Sequence, residues 1–189
     1  MSETRRGRAK SRGRILDAAA EIVAEIGAGK LTLDAVAQRA GLSKGGLLYN
    51  FPSKDALLAG MIERMIDDSR AEKERLRPEM QGRRNIEARL SAAVSLRMRA
   101  GTKDVSSGLM AALAENPSLL DPVRRLIAQD WREIKNTSED PDAAMIAWLA
   151  VEALGSLDMH GVSPVTPADR SRIEKAVQRL LDSGIAGDA

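Results

Sequence analysis

The stretch Thr32–Lys54, TLDAVAQRAGLSKGGLLYNFPSK, constrains this chain more than any other. Leu33, Val36, Ala37 and Ala40 recur at i, i+3, i+4 and i+7, which lines one face of a short helix. Gly41 stops that helix, because a residue without a Cβ enters the left-handed C-terminal conformation at no steric cost. Ser43 has the short oxygen side chain that caps a new helix, and Leu47, Leu48 and Phe51 give it an apolar side. Pro52 ends it by pushing the preceding residue out of helical geometry. Two short helices joined by a glycine-containing turn form the helix-turn-helix pattern, whose second helix enters the major groove of DNA.

Charge is distributed accordingly. Residues 1–60 hold ten Lys/Arg against six Asp/Glu, a balance of +4, while the remainder of the chain carries −2. Arg5, Arg6, Arg8, Lys10, Arg12 and Arg14 face only Glu3 before residue 15. A basic segment placed just ahead of a helix-turn-helix fits a polyanionic partner, although in isolation it reads equally as a solvated tail. The chain has no cysteine, so disulfides, thiol nucleophiles and Cys-ligated metal sites are excluded. The longest apolar run, Ala143–Val151, falls far short of the about 20 residues that span a bilayer. The N-terminus lacks the apolar segment of an export signal, and a cytoplasmic protein without membrane contact is expected.

Periodicity predicts an all-α chain of about nine helices with no strand. Residues 1–10 form a disordered basic arm, 11–56 a three-helix DNA-binding domain, and 57–189 a helical regulatory and dimerisation domain. The first helix carries Ile15, Leu16, Ala19, Ile22, Val23 and Ile26 on one stripe and ends at Gly27-Ala28-Gly29. Ser53 caps a fourth helix with Leu57, Leu58, Met61, Ile62, Met65 and Ile66 on its stripe; it turns polar from Asp67 and is bounded by Pro78. Further helices are expected over about 85–100, 105–115 and 118–135. Asp140-Pro141 and Thr166-Pro167 are N-caps followed by first-turn prolines that open the last two helices.

ILDAAAEIVAEIG followed by LTLDAVAQRAGLSKGGLLYNFPSKDALL closely resembles the DNA-binding domain of the TetR family of bacterial transcriptional repressors. The matching elements are Ile15–Ala19, the Gly27 stop, Thr32, Val36-Ala37, Ala40–Gly45 and Phe51–Leu58. The chain departs from the family pattern inside the motif. Where the family usually places Leu-Tyr this chain has Leu47-Leu48, so Tyr49 falls one residue later, and Asn50 occupies a place often held by an aromatic residue or histidine.

Projecting the second helix of the motif at about 100° per residue puts Leu47, Phe51 and Leu48 toward the bundle. Gly45, Gly46, Tyr49 and Asn50 then face the major groove. Asn50 has the amide that pairs with an adenine edge, and Tyr49 suits a phosphate or a thymine methyl. The glycines let the backbone approach closely, and Lys44 lies where its side chain reaches a phosphate. Thr32, Ser43 and Lys54 complete the expected DNA contacts; Thr32 and Ser53 read equally as phosphate clamps and as plain caps. Arg5, Arg6, Arg8 and Arg12 are expected to reach the adjacent minor groove.

For the rest of the chain the resemblance implies a ligand-binding and dimerising domain. Met98, Met110, Trp131, Met145, Trp148 and Met159 lie on the helices where the family builds its pocket, and the competing reading is ordinary core. Leu149, Leu157, Ile173, Val177, Leu180 and Leu181 are the expected homodimer surface, or else pack only on their own subunit. Asp158 and His160 do not share a helix face, and no metal or cofactor is expected. The expected function is a repressor that binds a palindromic DNA operator as a homodimer and is released by a small apolar effector. The effector would act by repositioning the fourth helix. The alternative is a DNA-binding regulator controlled by a protein partner or by abundance. An enzyme is disfavoured by the absence of cysteine, the single histidine and the lack of a phosphate-binding glycine loop.

Overall fold

The structure is a computed structural model that describes the backbone of residues 3–185 and the side chains of 7–98, 105–106, 108–109 and 112–185. Among the described residues it has eight α-helices and no strand: α1 (Glu3–Ile26), α2 (Leu33–Arg39), α3 (Lys44–Asn50), α4 (Lys54–Leu76), α5 (Ile86–Glu115), α6 (Asp121–Thr137), α7 (Pro141–Met159) and α8 (Pro167–Ser183). Short 3-10 turns precede α2, α5 and α6.

Local chemistry accounts for most of the boundaries. The hydroxyls of Thr32, Ser43 and Thr166 and the carboxylate of Asp140 accept hydrogen bonds from the backbone N–H groups of Ala35, Gly46, Asp169 and Ala143. Each satisfies a donor that the first helical turn leaves without a partner. Pro141 and Pro167 sit at the first position of their helices, where the missing N–H costs nothing.

Three boundaries differ from the sequence expectation. The basic segment is not a disordered arm, because α1 runs back to Glu3. Arg, Lys, Ala and Glu are strong helix formers and extend a helix whose apolar turns are already packed. The segments expected over 85–100 and 105–115 are one helix, α5. No proline lies between them, and Gly101 costs about 1 kcal/mol but keeps its N–H in the ladder. The helix expected from Ser118 begins at Asp121 instead, after a 3-10 turn over Pro117–Leu120 capped by Asn116. Pro122 explains the restart, since in a continuous helix its ring would strike the carbonyl four residues earlier.

Packing divides the chain into two compact units, 1–66 with 103–123 and 67–102 with 124–189. The division on α4 therefore falls ten residues beyond the expected 56/57 boundary. Leu57, Leu58, Met61, Ile62 and Ile66 are buried with the N-terminal bundle, and the polar segment from Asp67 belongs to the second unit. In the first unit Ile15, Ala19, Val23, Val36, Leu47 and Phe51 form the core that holds α1, α2 and α3 together. In the second, Trp148, Ala144, Ala147 and Val151 of α7 pack with Ala88, Ala92, Ile134, Val177 and Leu181.

Candidate nucleic-acid interface

The turn between α2 and α3 is built on Gly41, whose φ of 63° is the left-handed conformation that favours glycine. Gly41 N–H donates to the Gln38 carbonyl at 3.1 Å, and Leu42 N–H donates to the Ala37 carbonyl at 2.9 Å. The guanidinium of Arg14 on α1 reaches the outside of this turn and donates to the carbonyls of Ala40 and Gly41. One arginine thus fixes the angle of the two-helix unit on α1. Arg39, at the end of α2, ties that helix to α1 with two hydrogen bonds to the Glu25 carboxylate, at 2.9 and 3.0 Å, and one to Glu21 at 3.2 Å. The hydrogen bond from Arg39 holds the Glu25 carboxyl below the usual carboxylate range, and the same carboxylates raise Arg39. On α4, Arg64 donates to Asp17 at 2.6 Å and to the Leu16 carbonyl at 3.2 Å. None of these three arginines carries a local sequence signal, since each finds its partners well away along the chain.

On this frame α3 presents two different faces. Leu47 and Phe51 are fully buried, whereas Tyr49 is 70% exposed. Gly45 is exposed, with no heavy atom within 4 Å of where a Cβ would stand. Gly46 is partly covered by the Ser43 hydroxyl, which accepts its N–H at 3.1 Å. Asn50 is half-buried, and its amide nitrogen donates to the Gly46 carbonyl at 2.9 Å while its oxygen is buried without a partner. Tyr49 and Gly45 therefore face outward as the helical period predicts, while the side chain of Asn50 folds back along its own helix.

The basic residues around this face are unequally committed. Lys44 pairs with Asp34 at 3.0 Å in an exposed salt bridge, and Lys54 donates to the Gly29 carbonyl at 2.9 Å. Arg12 pairs with Glu63 at 3.3 Å and stacks over the Phe51 ring at 4.5 Å. Arg8 lies over the Tyr49 ring, 5.0 Å from its centroid. Arg5 and Arg6 lie outside the described side chains. Thr32, Ser43 and Ser53 act as helix caps through their hydroxyl oxygens.

The residues expected to line a ligand pocket fall in separate places. Trp131 and Trp148 pack against each other with ring centroids 5.5 Å apart and planes tilted by 57°. Trp148 belongs to the larger core cluster of the second unit, and the partly buried Trp131 and Met145 pack against it. Met98 packs on a different cluster formed by Leu76, Leu90 and Val94. The Met110 side chain lies outside those described. Of the expected dimer surface, Val177 and Leu181 are buried in their own subunit, and Ile173 and Leu180 pack against the same core. Leu157 is half-buried, while Leu149 and its neighbour Ile146 are each 51% exposed on α7. His160 caps the C-terminus of α7, with Nδ1 2.6 Å from the Ser156 carbonyl. Among the described residues no group of three or more His, Cys, Asp or Glu could hold a metal ion.

Residues 15–61 match the model of the bacterial regulatory proteins of the tetR family, and residues 83–182 match that of the tetracyclin repressor-like C-terminal domain. No curated protein matches the chain. Among solved structures, a Rhodococcus sp. protein described as a TetR-family transcriptional regulator is 25% identical, with a TM-score of 0.67 over 91% of this chain and 99% of that one. A TetR-family member from Streptomyces coelicolor A3 is 21% identical, with a TM-score of 0.68 over 90% and 98%. The multidrug binding protein EbrR, solved with malachite green, is 22% identical, with a TM-score of 0.65 over 90% and 97%. The two family models cover the helix-turn-helix and most of the helices after it, and the chain belongs to the TetR family of bacterial transcriptional regulators, DNA-binding proteins that are not enzymes.

Proposed function

We propose that this protein is a cytoplasmic repressor that binds a palindromic operator as a homodimer through α3 and leaves it when a small apolar molecule binds. The observation that carries the DNA-binding part is the two-faced α3. Leu47 and Phe51 are locked into the core, so Tyr49 and the bare backbone at Gly45 are held outward on a rigid support. Arg14 and Arg39 tie that support to α1 at the turn and at the end of α2. A two-fold dimer would present two such helices to half-sites about one helical turn apart. Ile146 and Leu149, half exposed on the same side of α7, supply apolar area for the partner. No helix among the described residues is long and apolar enough to cross a membrane.

The effector reading draws on EbrR, which binds malachite green and ethidium. This chain has only four aromatic residues, and Tyr49 and Phe51 lie in the DNA-binding unit. A compact apolar molecule suits it better than a large flat cation. A second reading, a regulator without a small-molecule ligand, is favoured by the use of Trp131, Trp148 and Met145 in core packing.

Selection of bound duplexes from a random pool tests the first claim, with enrichment of a palindrome expected. An unenriched pool would remove the operator. Light scattering should give twice the 20.4 kDa chain mass, and a monomeric mass would end the dimer. Titration of the fluorescence of Trp131 and Trp148 against a metabolite library separates the two modes of control. A ligand that both shifts the emission and releases the selected duplex supports the effector, and a silent library supports the second reading.

A further inference from the structure

The N-terminal extension of α1 places two arginines, one turn apart, over two aromatic rings. The Arg12 guanidinium lies over Phe51 and pairs with Glu63, so it is already committed within the protein. A Cβ on Gly60 would stand 2.6 Å from the Phe51 ring and 3.3 Å from the Arg12 guanidinium. Phe51, Arg12 and α4 are therefore closely fitted, which fixes the position of the α1 extension. One turn earlier, Arg8 lies over Tyr49 at 5.0 Å. Among the described residues Arg8 has no hydrogen bond and no ion pair, unlike Arg12 and Arg14. Tyr49 keeps 70% of its surface exposed despite the stack.

We propose that Arg8 and Tyr49 form one composite phosphate-binding unit, in which the ring holds the guanidinium and the guanidinium takes a phosphodiester of the duplex. The proposal rests on the DNA-binding reading above and adds the chemistry at this point of contact. A guanidinium stacked through its face leaves its in-plane N–H donors open. Those donors match two phosphate oxygens, and the stack removes part of the rotamer entropy that a free arginine loses on binding. The cation–π attraction at an exposed site is modest, enough to bias the side chain without blocking its donors. The fixed extension, anchored through Arg12, makes Arg8 part of the reading surface beside α3 and not a loose arm bound for the minor groove. The placement of the tyrosine at 49 sets the ring under Arg8.

A neutral residue that holds a charged one has a distinctive signature in the salt dependence of binding. The full chain and its Arg8→Ala, Tyr49→Ala, Tyr49→Phe and double-alanine variants are titrated by fluorescence anisotropy against one duplex enriched by the wild-type protein, over a range of sodium chloride. Arg8→Ala should reduce the slope of log K against log salt by about 0.9 for each chain bound. Tyr49→Ala should reduce it by nearly the same amount although it removes no charge, and the double variant should go no further. Tyr49→Phe keeps the ring and should keep the slope. A Tyr49→Ala variant with weakened binding but a wild-type slope overturns the composite and leaves a tyrosine contact alone. Additive effects of the two alanines overturn it as well. If both single variants bind like the wild type, the pair plays no part, and if the wild-type protein enriches no duplex, the DNA-binding reading itself fails. Both side chains are exposed, so thermal unfolding of all four variants should match the wild type.

Discussion

Gly108 of α5 lies so close to Val23 of α1 that a Cβ on it would stand 2.5 Å from the Val23 carbonyl oxygen and 2.8 Å from a Val23 methyl. Two helix backbones meet there without a side chain between them. In an unhindered helix, replacing glycine by alanine gains about 1 kcal/mol. Here the neighbour is backbone and cannot rotate away, so overpacking should dominate and Gly108→Ala should cost about 1–3 kcal/mol. Gly13, on α1 with nothing within 4 Å of its Cβ position, is the control and should gain stability on the same change. Urea unfolding of the two variants should move their midpoints in opposite directions. Equal shifts would mean that the close approach at Val23 is not enforced.

Arg14 should matter to the recognition unit without touching DNA. Its donors satisfy the carbonyls of Ala40 and Gly41 at the turn between α2 and α3. Arg14→Met keeps the apolar stem and removes the donors, which should cost about 1–2 kcal/mol, because water can partly replace them at this exposed site. Amide exchange at Gly41 and Leu42 should accelerate more than at the core of α4. Uniform acceleration across both helices would point to a general loss of stability and not to the turn.

What was readable in the chain follows the range of the interactions. Thr32, Ser43, Asp140 and Thr166 bond to backbone three residues on, so their caps are visible as local patterns. The outward turn of Tyr49 follows from helical period alone. Asn50 marks the limit of that argument, because period fixes where a Cβ points but not how an amide then folds onto the Gly46 carbonyl. Val177 and Leu181 show the same limit for apolar stripes, since a stripe says that a residue is covered and not by which chain. Arg14, Arg39 and Arg89 carry no such local pattern. Each is one basic residue among many, and its partners are set by tertiary packing. The start of α6 is also a local signal, since the ring of Pro122 excludes a helix continuous with the preceding turn.

Arg89 offers a test of how a buried charge is held. Its side chain is only 2% exposed; it donates to the Arg84 carbonyl at 2.7 Å, to the Gln178 amide oxygen at 2.9 Å and to the Asp182 carboxylate. Asp182 by contrast is 63% exposed. Removing the carboxylate strands a guanidinium that cannot reach water, whereas removing the arginine frees a carboxylate already largely hydrated. Asp182→Ala should therefore cost about 2–3 kcal/mol, more than Arg89→Met, whose apolar replacement fills the same space. Equilibrium unfolding of both variants decides the order, and a larger loss for Arg89→Met would show that the hydrogen bonds outweigh the charge.

Lys73 gives the second unit a defined response to pH. Its ammonium lies 3.1 Å from Glu87, 3.0 Å from Asp130 and 3.1 Å from Glu133, with the side chain 13% exposed. Burial pulls the Lys73 pKa down, but the attraction of Asp130 and Glu87 outweighs it and the net shift is upward. Burial likewise pushes Glu87 up, yet the hydrogen bond from Arg77 and the neighbouring positive charge of Lys73 bring it below its ordinary value; Glu133 is lowered by the Gln129 amide and then, against burial, by Lys73. The carboxylates thus contribute stability above an unfolded pKa of about 4.3 and lose it as pH falls through their depressed folded values. Lys73 contributes below about 10.4 and loses its part as pH rises through its raised folded value. Lys73→Met leaves the carboxylates facing one another, so its deficit should be about 2–3 kcal/mol at pH 7. As acid neutralises Glu87 and Glu133 that repulsion fades, and the gap between variant and wild type should close toward pH 4. Urea unfolding of both proteins at pH 4 and pH 7 measures it, and a deficit that is the same at the two pH values would show that Lys73 stabilises through packing alone.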